Sequence, residues 1–193
     1  MNIKPPNYFL AINLKKTVMA NEIYKIVSIH YKNNIKVNLT HADNIHITVF
    51  YLGALNSFEL EILNEQLPGI LSLHKPFNIK LNKTEVFQKH SRSSEVILID
   101  SDNDSLVKLH YDLKSKLLKF FPNALDCKTS RSYNPHITIG RCKDSIDSGL
   151  EQVFFEINNM LNKNIEYLVD CLEILYLDQK TKKYITQNVL PLI

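Results

Sequence analysis

From Tyr8 to Leu14 the chain is apolar at every position except Asn13, the pattern of a strand buried on both faces. Met19, Ile23, Ile26 and Val27 then recur at helical spacing up to about Tyr31. The β-branched, apolar stretch from Val37 to Leu52 predicts either a strand pair or one strand with a turn at Ala42-Asp43, closed by Gly53. A helix is expected from Asn56 or Ser57, with Leu60, Leu63 and Leu67 inward and a stop at Pro68-Gly69. Phe77–Phe87 and Glu95–Asp100 read as a hairpin around the polar segment Gln88–Ser94. Asp104 or Ser105 should cap a third helix striped by Leu106, Leu109, Leu113, Leu117 and Phe120, and Pro122 should end it. A motif strand is expected after Pro135, a fourth helix around Leu150–Leu161, and a strand over Tyr167–Leu177. Asp178–Lys183 then turns the chain into a last strand, Tyr184–Leu192.

Strands and helices therefore alternate, and no segment rich in Pro, Gly or Ser separates the halves; Gly numbers only four. The expectation is an α/β chain whose residues 1–193 form one domain of two packed lobes, with each lobe contributing strands, a helix and a motif strand. Hydrophobic residues at 45% and charged residues at 22% fit a chain that buries a core. Cys127, Cys142 and Cys171 are odd in number and lack Cys-x-x-Cys spacing, which fits a reducing, cytoplasmic setting. The apolar run at Tyr8–Leu14 is too short for a signal peptide core, and no run is long enough for a transmembrane helix.

The chemistry lies in a tetrapeptide that occurs twice, His46-Ile47-Thr48-Val49 and His136-Ile137-Thr138-Ile139, 90 residues apart. In an extended strand, residues i and i+2 point to one side, so each copy sets an imidazole beside a hydroxyl. Two imidazoles divide the labour of general base and general acid, while two hydroxyls donate to the non-bridging oxygens of a phosphodiester. A single His-x-Thr in a strand is ordinarily a satisfied structural pair. Two copies in matched halves are the stronger signal. No His-x-His, Cys-x-x-Cys or His-Glu-x-x-His spacing points to zinc, and no P-loop or Gly-x-Ser-x-Gly elbow occurs. His30, His41, His74 and His90 have no partner at metal or triad spacing, and His110 falls on the apolar stripe of its helix.

The net charge of +3 is unevenly spread, with eight Lys/Arg against two Asp between Lys108 and Lys143. Much of that excess is the solvated face of the third helix. The rest provides a field for a phosphate-bearing ligand.

The two motifs resemble the signature of the two-histidine (2H) phosphoesterase superfamily, and within it the LigT-like RNA 2′,3′-cyclic phosphodiesterases, formerly 2′-5′ RNA ligases. Phe9-Leu10-Ala11-Ile12 resembles that group's first strand, Phe50-Tyr51-Leu52-Gly53 follows the first motif as it does there, and Pro135 to Arg141 resembles the second motif with its trailing Arg. Val169 to Leu192 resembles its closing hairpin. The resemblance implies a bilobal α/β (α+β) fold of pseudo-twofold symmetry, with antiparallel sheets flanked by helices and a central cleft. It also implies hydrolysis of a 2′,3′-cyclic phosphate without metal or cofactor, by His46, Thr48, His136 and Thr138, with His46 as acid and His136 as base. RNA ends or small nucleotides are then the partners, with no membrane and no obligate protein partner. Arg141, Phe50, Phe9 and Tyr133 are the candidate substrate contacts. Phe50 departs from the group, many of whose members carry a basic residue there. By strand parity it shares the face of His46 and Thr48, as a stacking platform or as a core wall. Two alternatives stand beside this function: hydrolysis of 2′-5′ oligoadenylate or a cyclic signalling nucleotide, and a catalytically silent module that binds RNA ends or nucleotides.

Overall fold

A computed structural model describes residues 5–15, 17–31, 37–88, 95–101, 103–129, 132–142, 150–162 and 166–193. The polar residues 89–94 of the expected hairpin, with His90 among them, and Lys143 lie outside the described residues. The strands are β1 (Asn7–Asn13), β2 (Val37–Leu39), β3 (His46–Ala54), β4 (Phe77–Lys80), β5 (Thr84–Gln88), β6 (Glu95–Asp100), β7 (His136–Cys142), β8 (Glu166–Val169), β9 (Cys171–Leu177) and β10 (Tyr184–Pro191). The helices are α1 (Val18–Tyr31), α2 (Ser57–Leu71), α3 (Asp104–Leu117), α4 (Leu125–Lys128) and α5 (Leu150–Leu161). One antiparallel sheet runs β10-β9-β1-β3-β7-β6-β5, with β2 on β7, while β4 and β8 form a separate pair.

The motif strands β3 and β7 are neighbours at the centre of that sheet. β2 and β3 do not pair with each other. Both run along one edge of β7, with Leu39 opposite Gly140 and Ile47 opposite Ile137. The 3-10 turn Ala42–Asn44 between them takes up the offset in register. Of the two expectations for this stretch, the strand broken by a turn is the one observed.

Five other expectations need correction. Tyr167–Leu177 is not one strand: it breaks at Asp170, so that β8 joins β4 in the small sheet while β9 stays in the large one. α2 does not stop at Pro68 but continues to Leu71, because the extra turn buries Ile70 and Leu71 in the core. Phe77–Phe87 is not one strand. It breaks after Lys80, so β4 joins β8 in the small sheet and only β5 pairs with β6. The stripe of α3 ends with Leu117, since Phe120 lies largely exposed and Phe121 takes the buried place. Asn103, rather than Asp104 or Ser105, caps α3, accepting from the Leu106 amide at 3.0 Å. Among the described residues no helix is long and apolar enough to cross a membrane.

Candidate active site

The site is built on the crossing of β3 and β7. Ile47 and Ile137 face each other in an antiparallel register, and both side chains are fully buried. Opposed residues of an antiparallel pair share a face, so the flanking His and Thr residues point away from the core together. Continuing that register sets His46 across from Thr138 and Thr48 across from His136. Each histidine thus has its own threonine two residues along the strand and the other motif's threonine across it.

Both imidazoles are oriented by the same device. His46 Nδ1 lies 2.8 Å from the carbonyl oxygen of Asn44, and His136 Nδ1 lies 2.8 Å from that of Asn134. A carbonyl only accepts, so Nδ1 carries the proton and Nε2 is left for chemistry. At the first motif, the Thr48 hydroxyl is positioned to donate to His46 Nε2 across 3.2 Å. The repeated unit is therefore longer than His-Ile-Thr. It is Asn-x-His-Ile-Thr in both halves, a signal present in the sequence and missed there.

Both motif strands then make the same irregularity. In β3 the pairing with β1 steps from Thr48–Ala11 to Phe50–Leu10, leaving Val49 as an extra residue. In β7 the pairing with β6 steps from Thr138–Leu98 to Gly140–Ile97, leaving Ile139 extra. An inserted residue reverses the in-out alternation beyond it. Phe50 accordingly turns into the core, where it is fully buried against His110, and it does not reach the site. The motif face is rejoined five residues after each histidine, at Tyr51 and at Arg141.

Phe9 also lies almost wholly buried and forms a floor beneath His46. Its ring centroid is 5.1 Å from His46, it stacks on Tyr51 at 5.9 Å, and it meets Tyr184 edge-on at 5.2 Å. Tyr184 closes on His46 at 4.7 Å. This aromatic packing withdraws His46 from water, and its pKa is pushed down to about 4. Burial is the main cause, opposed by the Asn44 carbonyl and assisted by repulsion from Arg141 and from a protonated His136. The influence of His136 and Arg141 on His46 places all three in one electrostatic neighbourhood.

Tyr133 is a brace. Beyond Ile47 and Ile137 the two motif strands diverge, and side chains take the backbone partners that a ladder would have supplied. Tyr133 Oη donates to the Thr48 carbonyl at 2.8 Å, His110 Nδ1 donates to that of Val49 at 2.7 Å, and the Tyr51 amide donates to Asp126 Oδ2 at 2.7 Å. The rings of His110 and Tyr133 stack at 4.1 Å, nearly parallel. Burial of His110 lowers its pKa, and burial of Tyr133 raises that of the phenol. Spacing alone did not reveal Asn44, Asn134, Tyr51, Tyr184, His110 or Asp126. Among the described residues no three His, Cys, Asp or Glu side chains gather as metal ligands.

The family model of the 2′-5′ RNA ligase superfamily matches residues 36–181. An RNA 2′,3′-cyclic phosphodiesterase of Methanocaldococcus jannaschii is 35% identical over 138 residues, 70% of each chain. One of Bacillus subtilis is 29% identical over 139 residues, 70% of this chain and 71% of its own. Among solved structures, a protein of Thermus thermophilus superposes with a TM-score of 0.73 at 17% identity, covering 96% of this chain and 97% of its own. E. coli LigT complexed with 3′-AMP gives 0.64 at 16% identity, covering 98% and 99%.

Proposed function

The chain belongs to the 2′-5′ RNA ligase superfamily, and from that footing we propose that it is a phosphodiesterase that opens a 2′,3′-cyclic phosphate at an RNA end or on a nucleotide, leaving a 2′-phosphate. The observation that carries this reading is the crossing at Ile47–Ile137, which sets two imidazoles and two hydroxyls on one face. The Thr48 and Thr138 hydroxyls hold the non-bridging oxygens. One Nε2 takes a proton from water as its oxygen bonds to phosphorus, and the other delivers a proton to O3′ as the P–O3′ bond breaks. His136 serves as the base and His46 as the acid.

His46 is neutral in the free protein, so its role as acid requires proton uptake when the substrate anion arrives. An anionic phosphodiester between the histidines offsets the repulsion from Arg141 and favours that uptake. Arg141, on the same face, brings a fork of donors suited to a substrate phosphate.

The test is turnover of a nucleoside 2′,3′-cyclic phosphate, a 2′-5′-linked diadenosine and a 3′,5′-cyclic nucleotide, each in saturating EDTA. The expected result is hydrolysis of the first, undiminished by chelation, with the 2′-phosphate as product. A 3′-phosphate product, or chelated enzyme revived only by a divalent metal, would sink the scheme. Preference for the second or third substrate would instead identify a 2′-5′ or signalling-nucleotide hydrolase, and binding without turnover a silent module.

A further inference from the structure

Two cavities flank the histidine pair, and the repeated motif geometry relates them. One, of about 550 Å³, contains Asn134 and Tyr51; the other, of about 610 Å³, contains Asn44 and Arg141. Each cavity thus pairs the asparagine two residues before one histidine with the residue five after the other. Their chemistry has diverged. The Tyr51 cavity is walled by Tyr133, His110, Leu125 and the carboxylate of Asp126. The Arg141 cavity is walled by His41, Lys182, Lys183 and Tyr184, and the described residues lining it include no carboxylate.

The basic wall is a built one. Asp178 takes the amides of Lys180 and Thr181 at 3.1 and 3.2 Å and the Thr181 hydroxyl at 2.6 Å, so its charge is committed to the turn. Asn44 Nδ2 donates to the Lys182 carbonyl at 2.9 Å, and the Tyr184 amide donates to Asn44 Oδ1 at 3.1 Å. Lys182 itself is held in the left-handed region, at φ 56°. Lys183 is neutralised by Asp43 at 2.9 Å, whereas among the described residues Lys182 Nζ meets only the neutral Gln179 amide oxygen, at 3.3 Å. Arg141 and Lys182 are therefore the cations this cavity offers to a ligand. Asn44 links the turn to catalysis directly, since its carbonyl orients His46.

We propose that the cavity between Arg141 and the 178–183 turn is a second phosphate subsite. It takes the phosphodiester adjacent to the reacting end, so that the substrate class is an oligonucleotide end rather than a mononucleotide. This inference rests on the cyclic phosphodiesterase reading of the histidine pair. A phosphodiester keeps its charge at all working pH values, and a site that offers both Arg141 and Lys182 favours a second anion beside the first. The aromatic cavity on the other side suits an uncharged base.

The experiment compares kcat/KM for uridine 2′,3′-cyclic phosphate with that for a dinucleotide ending in the same cyclic phosphate. A third substrate is the same dinucleotide with an uncharged methylphosphonate linkage. Wild type should prefer the charged dinucleotide, mainly through KM, and the neutral linkage should forfeit that preference. Lys182→Gln should cut the dinucleotide-to-mononucleotide ratio about fivefold, the worth of one exposed ionic contact. It should also make the dinucleotide's log kcat/KM less dependent on log salt, by about 0.7 in slope. A ratio unchanged by Lys182→Gln, or equal rates on the charged and neutral linkages, overturns the subsite. Turnover of the mononucleotide reports separately on the reaction itself. Should no substrate turn over, the same ratio read as calorimetric affinities of the wild-type protein decides the subsite alone.

Discussion

At the scale of single residues, His46 has the most unusual environment. Packed against Phe9 and Tyr184 and near Arg141, it is held neutral with a pKa pushed down to about 4. In the unfolded chain it returns to 6.5 and takes up a proton below that pH, so protons favour unfolding between those values. The stability this residue contributes is complete above pH 6.5 and falls as pH drops toward 4, by up to about 3 kcal/mol. Histidine NMR should show one ring with a midpoint near 4, absent in His46→Ala. Saturation with inorganic phosphate should raise that midpoint by at least about one unit, as an anion between two imidazoles requires. A midpoint near 6.5 in the free protein contradicts the aromatic desolvation. A midpoint that stays near 4 with phosphate bound removes His46 as the acid. The four motif residues were legible in the sequence because strand parity alone sets a His and a Thr on one face. Phe50 was misplaced for the same reason, because parity counts residues and cannot see an inserted one.

At the scale of elements, the bulges at Val49 and Ile139 re-aim Tyr51 and Arg141, and they leave β3 without a neighbour along part of one edge. Tyr133, His110 and Asp126 supply the missing partners from the 132–135 segment, α3 and α4. Tyr133 therefore acts as a positioning residue through the Thr48 backbone. Tyr133→Phe keeps the stacking on His110 but deletes the bond to the Thr48 carbonyl, which should cost about 1 kcal/mol in urea unfolding. The same variant should lower kcat more than it raises KM, because the Thr48 hydroxyl is most needed when charge builds on phosphorus oxygens. Loss of stability with unchanged kcat would make Tyr133 a purely structural brace. Elements that one chain segment determines were legible: α5 shows its amphipathic period and the β9–β10 hairpin its turn residues. Elements set by distant partners were not. The break between β4 and β5 depends on β8, far along the chain, and α2 runs through Pro68 because of the core that Leu71 meets.

At the scale of the whole molecule, the repeat brings two copies of one motif together at the centre of the sheet. Antiparallel crossing of two copies of Asn-x-His-Ile-Thr sets both imidazoles on one face, and the proposed in-line displacement asks them to stand on opposite sides of a single phosphorus. In that proposal one histidine serves the entering oxygen and the other the leaving one, so neither half would work alone. His46→Ala and His136→Ala should each lower kcat/KM by about 10²–10⁴-fold while remaining folded. The double variant should lose little beyond the worse single one, because residues that act as a unit are not additive. A double loss equal to the product of the single losses would mean independent contributions and contradict the paired scheme. Leaving-group chemistry then separates the roles. A p-nitrophenyl ester departs without a proton, so it should restore much of the rate to the variant lacking the acid and little to the variant lacking the base. Rescue of His46→Ala but not of His136→Ala fits the division proposed for them. Rescue of His136→Ala alone reverses the two roles, and equal rescue of both removes the division altogether, because a twofold arrangement provides both positions and only the substrate's orientation distinguishes them.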